Sequence, residues 1–287
     1  MEKVWEESHG EVTPRTFQEL AKLSRRIDAS EARKRRFRVA MSALAAAACL
    51  AVVALSTFFL TRSRYSAAPL DNTCTLVALS GETSSVTLED GTQVFLNAGS
   101  SLLYPEQFGE GSRIVYLSGE GNFDVAKDPS RPFIVKTSQL SVEALGTSFC
   151  VQAYAGEKMV LATLKEGKIR VTLPGPEKKS YILQPDMQLR YQPSEKTVSL
   201  ARVDASRVMS WAQGYLSFSG ASFPEIASAL ERRFGVSVSY DSGHLRHGAL
   251  NVRFMPQESL EDALDVLTLL IPGSRYKIDG DRVYFLF

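Results

Sequence analysis

A chain of 287 residues with 33 Lys/Arg against 32 Asp/Glu has no global charge bias, which excludes a partner held by net charge alone. Its 44% hydrophobic content is enough for packed cores, and three cysteines are too few for a disulfide framework. The charge is uneven, however: residues 1–38 carry ten Lys/Arg against seven Asp/Glu, leaving 23 against 25 for the rest, a near-neutral balance that argues against nucleic acid as a partner.

The chain opens with a short segment, residues 1–37, in which Thr13-Pro14 supplies an N-cap followed by proline at the first helical position. Phe17, Leu20, Ala21, Ser24 and Ile27 then recur at three- and four-residue intervals and predict an amphipathic helix with a narrow apolar stripe. An isolated helix of this kind gains stability by lying in a partner's groove or on a membrane surface, and both readings stay open. Arg33, Lys34, Arg35, Arg36 and Arg38 are accounted for by membrane topology and anionic lipid.

From Val39 to Leu60 no residue is charged, and Arg38 and Arg62 fence the stretch on either side. At about 1.5 Å per residue such a helix slightly exceeds the roughly 30 Å hydrocarbon core of a bilayer, so residues 38–61 are expected to form one transmembrane helix. The basic residues ahead of it place the N-terminus in the cytoplasm, and the long leading segment favours a signal anchor over a cleaved signal peptide. Residues 62–72 read as a polar linker.

Beyond it, residues 73–203 read as all-β. Short apolar alternations such as Gln93–Leu96, Arg113–Ser118, Gly121–Ala126, Phe133–Thr137, Ser148–Ala153 and Gln188–Tyr191 are separated by Glu89-Asp90-Gly91, Ser118-Gly119-Glu120, Lys127-Asp128-Pro129 and Leu145-Gly146-Thr147, which have the composition of tight reversals. Such spacing fits a sandwich, a barrel or an irregular β-solenoid. Residues 208–287 read as a small α+β domain of order β-α-β-β-α-β with a final hairpin, two helices on one face of a small sheet. Ser222 with Glu225 and Ser259 with Asp262 make capping boxes for the two helices.

No catalytic or metal-binding pattern stands out. His244 and His247 lack nearby cysteines, Gly119-Glu120-Gly121 lacks the third glycine of a dinucleotide loop, and Asp90, Asp124 and Asp128 fall in or beside turns. The expectation is a chain without enzymatic activity, cofactor or metal. Cys74 and Cys150 either pair in an oxidising compartment or serve as two unpaired small apolar residues.

Leu88-Glu89-Asp90-Gly91-Thr92, Val94-Phe95-Leu96-Asn97, Tyr104-Pro105, Arg113, Leu117-Ser118-Gly119-Glu120, Phe123-Asp124-Val125, Arg131-Pro132-Phe133-Ile134-Val135 and Leu145-Gly146-Thr147-Ser148-Phe149 follow one another as in FecR-type regulators. Trp211, Gly214, Leu216, Phe218 and Leu230-Glu231-Arg232 extend the resemblance into the last domain, which is similar to the secretin-and-TonB N-terminal fold found in Bacteroidetes versions of the family. The chain departs from the family at Cys150, where Asn is usual, and in its shorter cytoplasmic segment. The resemblance implies a single-pass anti-sigma factor of the inner membrane, with an extracytoplasmic-function sigma factor as cytoplasmic partner and the periplasmic domain of a TonB-dependent outer-membrane receptor as the other. Phe17, Leu20, Ala21 and Ile27 are then the candidate sigma contacts. For the receptor, edge strands of the last domain are the candidates: Leu250, Val252 and Phe254 on one, Val283 and Phe285 on the other, the latter strand being alternatively one that closes the core. A membrane-tethered periplasmic binding or scaffold module without sigma binding is the alternative reading, and an envelope enzyme acting on glycan has no residue constellation in its favour.

Overall fold

The computed structural model describes residue 41 and residues 49–57, 72–175, 179–241 and 248–287. The stripe Phe17, Leu20, Ala21 and Ile27 lies outside these residues, as do His244 and His247 and most of Val39–Leu60. Residues 49–57 are helical with exposed apolar side chains. Among the described residues no helix is long and apolar enough to cross a membrane.

Residues from 72 onward fall in one compact unit. Thirteen strands form a continuous hydrogen-bonded network: β1 (Thr73–Ala78), β2 (Ser84–Thr87), β3 (Gln93–Leu96), β4 (Ser100–Pro105), β5 (Arg113–Asp124), β6 (Phe133–Lys136), β7 (Ser141–Ala144), β8 (Ser148–Ala153), β9 (Val160–Glu166), β10 (Ile169–Thr172), β11 (Ser180–Leu183), β12 (Met187–Gln192) and β13 (Thr197–Arg202). Period-two patterning puts alternate side chains inward, as in β3, where Val94 and Leu96 are buried, and in β6, where Phe133 and Val135 are.

β5 is the strand on which the network turns. Its first half pairs with β4 and, in parallel, with β6; its second half pairs with β3 and β8. Two sheets, β1-β4-β5-β6-β7-β10-β11 and β2-β3-β5-β8-β9-β12-β13, therefore share one strand and close like a half-barrel over a single core. Phe123 and Phe149 of one sheet stack at 5.2 Å, and Phe133 of the other lies 6.1 Å from Phe123. Of the expected architectures, this half-barrel stands between the sandwich and the barrel, and a solenoid does not describe it. Ser118-Gly119-Glu120 is not the reversal its composition suggested. Gly119 has φ +106°, and a Cβ there would sit 2.4 Å from Ser100 Oγ, so the glycine bends one long strand from sheet to sheet without turning it back.

Arg113 anchors the far end of this core. Fully buried, it donates to Asp90 Oδ2 at 2.6 Å, to the Ala126 carbonyl at 2.9 Å and to the Arg131 carbonyl at 2.9 Å, tying two turns to the start of β5. Asp90 also accepts from the Thr92 amide and hydroxyl, and Asp128 accepts from Ser130 and Arg131. These carboxylates hold turns, as their positions implied. Cys74 and Cys150 are both free thiols.

After β13, a helical turn α1 (Ala205–Val208) and a 3-10 turn (Met209–Gln213) lie on the outer face of the second sheet. They bury a polar row there: Asn122 Nδ2 donates to the Met209 carbonyl at 3.0 Å, Asn122 is level with Cys150 and Cys150 with Thr163, and Gln188 Nε2 donates to Thr163 Oγ1 at 2.9 Å. Met209 and Trp211 are thus buried against the second sheet of the β module.

The rest is β14 (Leu216–Ala221), α2 (Phe223–Phe234), β15 (Ser237–Tyr240), β16 (Leu250–Phe254), α3 (Leu260–Leu270), β17 (Arg275–Asp279) and β18 (Arg282–Leu286), the expected order. The capping boxes are present: Glu225 accepts from the Ser222 amide at 2.6 Å, and Asp262 accepts from the Ser259 amide at 2.9 Å. Such caps stabilise a helix by about 1 kcal/mol. The single small sheet is corrected to two, β14·β16 antiparallel and β15-β18-β17 with β15 parallel to β18. Both sheets and both helices contribute to one core that includes Leu216, Leu230, Phe254, Leu264, Leu267 and Phe285.

Candidate functional site

The polar chemistry of the described residues concentrates where the two modules meet. α2 ends in Arg232 and Arg233, adjacent residues that a helix sends in directions about 100° apart. Arg232 reaches into the β module, where its guanidinium donates to Glu157 Oε1 at 2.6 Å and lies 3.9 Å from the centre of the Tyr154 ring. Its carbonyl accepts from the Gly81 amide at 2.7 Å, in the turn after β1. Arg233 stays in its own module and donates to the carbonyls of Gly214 and, at 2.9 Å, Pro256, just past the end of β16.

Each partner of Arg232 is itself held. Tyr154 donates its hydroxyl proton to the Ala98 carbonyl at 3.0 Å, and Gln152 donates to Glu157 Oε2 at 2.9 Å. Beneath them Glu120 is buried, accepting from Asn97 Nδ2 at 2.8 Å and facing the Cys150 thiol at 3.6 Å. Burial pushes the Glu120 carboxyl above its usual range against the pull of Asn97 and Arg232. Burial and the neighbouring Glu120 push the Tyr154 and Cys150 protons up as well. The Trp211 indole lies against Cys150 without an oxygen or nitrogen partner for its N–H. A cleft of about 570 Å³ runs beside this joint, with Ser80, Gly99, Glu157, Ser228 and Glu231 among its lining. Among the described residues no group of three or more His, Cys, Asp or Glu could hold a metal.

The proposed receptor contacts separate. β18 is the central strand of its sheet, paired on both sides, and Val283 and Phe285 are fully buried, Phe285 4.6 Å from Phe223. That strand has no free edge and closes the core, so Val283 and Phe285 are not available to a partner. β16 pairs only with β14 among the described residues, which leaves its other edge open. Leu250 and Val252 are half-buried there, and Phe254 is in the core. The joint itself was missed. Leu230-Glu231-Arg232 marked it in sequence only as a shared motif, because nothing local connects Arg232 to Glu157, 75 positions away.

The described residues from 72 onward thus make a half-barrel β module that carries a small α+β module across a hydrogen-bonded polar joint. Residues 75–180 match the FecR protein family and residues 215–285 the FecR C-terminal domain. Two crystal structures of a candidate anti-sigma factor from Parabacteroides distasonis ATCC 8503, at 2.50 and 1.65 Å, are 30% identical with TM-scores of 0.70, covering 75% and 74% of this chain and 98% of theirs. The chain belongs to the FecR family, whose role is regulatory. No curated protein matches it.

Proposed function

We propose that the chain is a single-pass anti-sigma factor of the inner membrane, its N-terminus cytoplasmic and its two folded modules periplasmic. Its N-terminal stripe, Phe17, Leu20, Ala21 and Ile27, holds an extracytoplasmic-function sigma factor. Its C-terminal module receives the periplasmic domain of a TonB-dependent outer-membrane receptor on the open edge of β16, where main-chain hydrogen bonds supply affinity and the Leu250 and Val252 positions supply selectivity. The observation that carries this reading is the match of both modules to the FecR family together with a relative described as a candidate anti-sigma factor. The uncharged stretch between Arg38 and Arg62, with five basic residues ahead of it, supports the topology.

The test is capture of the sigma factor by the full chain purified from its own membranes. Truncating a buried anchor costs about 2 kcal/mol or more at an interface hot spot, so Phe17→Ala with Leu20→Ala should lose the sigma factor and release transcription of its genes. Neutralising two of the arginines between 33 and 38 should change neither. Equal recovery of sigma factor by the double variant and the parent would leave a tethered periplasmic module without a sigma-binding helix.

A further inference from the structure

The joint between the modules is polar and narrow, and it acts on one particular strand. The two apolar cores are separate, each closed by its own strands and helices. Between them stand the Arg232–Glu157 ion pair, the Arg232 guanidinium on the Tyr154 ring and the hydrogen bond from the Gly81 amide to the Arg232 carbonyl. The side chains of that ion pair remain about one-fifth exposed, and the cleft alongside is open. Contacts of this kind, unlike large apolar interfaces, permit domains to move relative to one another.

Gly81 lies in the turn between β1 and β2. Among the described residues β1 is an edge strand, paired only with β4, and in chain order it is the strand that continues from the N-terminal segment. The helix turn that grips Gly81 through the Arg232 carbonyl is also fastened, through Arg233, to the Gly214 and Pro256 carbonyls, which lie together at the Leu216/Phe254 end of the β14·β16 sheet. The last turn of α2 therefore links the Phe254 end of β16 to the turn that follows β1, the strand leading on from the N-terminal segment.

We propose that Arg232 closes a reversible latch between the C-terminal module and β1. Closed, it makes the two modules one body, and a displacement of β16 is delivered through α2 to the Gly81 turn and along β1. Open, the displacement is absorbed at Gly214-Tyr215, just past the turns packed on the second sheet, and β1 is left undisturbed. This inference rests on the reading of the chain as a relay, but its structural half is testable without that reading.

The structural arm is amide hydrogen exchange on the purified full chain in nanodiscs. Arg232→Ala should speed exchange at residues 79–82 and along β1 by about tenfold, the loss expected for a part-exposed ion pair reinforced by a ring contact. Protection of β8, β9 and α3 should stay as in the parent. Arg232→Lys, which keeps the charge and loses the planar stack, should fall between, and Glu157→Gln should loosen the same residues. Unchanged exchange at 79–82, or loosening spread equally through both cores, would overturn the latch. The functional arm is sigma-dependent transcription in inducing cells, which Arg232→Ala should abolish. Induction intact in a variant whose β1 exchanges faster would overturn the relay role of the latch. A parent chain that never responds to inducer refutes the relay reading and leaves the exchange result standing.

Discussion

Removing the Asp90 carboxylate should be among the most damaging single changes in the β module. Arg113 is fully buried and Asp90 nearly so, with 2.6 Å between Nη1 and Oδ2. In Asp90→Ala the guanidinium keeps two carbonyl acceptors and has no counter-charge, and breaking a buried pair this way costs about 3–5 kcal/mol. Whole domains are stable by about 5–15 kcal/mol, so about a fifth of that reserve or more should go. The sharper test is the double variant Asp90→Ala/Arg113→Met, which removes both charges and keeps an apolar side chain of similar length. It should regain most of the loss and retain about 1–2 kcal/mol of it, because the Ala126 and Arg131 carbonyls lose their donor. Urea unfolding of residues 72–287 suits the measurement, since this fragment is comparable in extent to the solved relative, of which 98% is covered. Trp211, its single tryptophan, reports from the outer face of the second sheet. A cost below about 1 kcal/mol for Asp90→Ala, or a double variant no better than the single, would refute the reasoning.

Alkaline phosphatase fused after residue 72 should be active and β-galactosidase at the same point inactive; the reverse would invert the topology read from Arg33 to Arg38. Burial raises the Glu120 carboxyl, so the native state holds that proton more tightly than the unfolded chain, and its stability falls as pH climbs from about 4.5 through the raised value. Glu120→Gln should accordingly unfold at higher urea than the parent at pH 7.5 and at the same urea near pH 4; a variant that is weaker at pH 7.5 contradicts this. Truncation after Gly214, which spares the Met209–Trp211 cover of the β module, should abolish receptor binding measured by calorimetry, and Val252→Lys should weaken it about tenfold by charging the strand edge. Binding retained by the truncated chain would move the contact into residues 73–202.

What could be seen in the sequence was what is local. The two capping boxes, the glycine that ends α2 and the alternation of β3, β6 and β8 involve residues within a few positions of one another, and all are present as expected. The sequence does not mark β4, β11 and β13: Ser100–Pro105 and Ser180–Leu183 lie beside turn residues, and Thr197–Arg202 is a short run after the turn residues Pro193 to Lys196 whose side chains stay mostly exposed. The turn chemistry of Ser118-Gly119-Glu120 was real, but positive φ serves a bend as well as a reversal, and only the pairing of β5 with four neighbours decides between them. β18 reads as an edge because it is terminal and apolar on both faces, yet those are equally the marks of a strand buried between two others. Arg113 with Asp90 and Arg232 with Glu157 are partners across 23 and 75 positions, distances at which a lone sequence carries no signal.

The shared strand has a consequence for how the protein assembles. β5 is an interior strand of both sheets, so neither can be completed until residues 113–124 are in place, and its partners come from both sides of it in the chain, from β3 to β8. Closing such distant pairings before any of them repays the lost chain freedom makes folding slow. A chain that emerges N-terminus first can form the β1·β4 and β2·β3 pairs, but the other edges of β3 and β4 stay open until β5 arrives. Over that interval the protein offers several aggregation-prone strands at once, and a chaperone that covers Ser84 to Pro105 would act at the moment of greatest exposure.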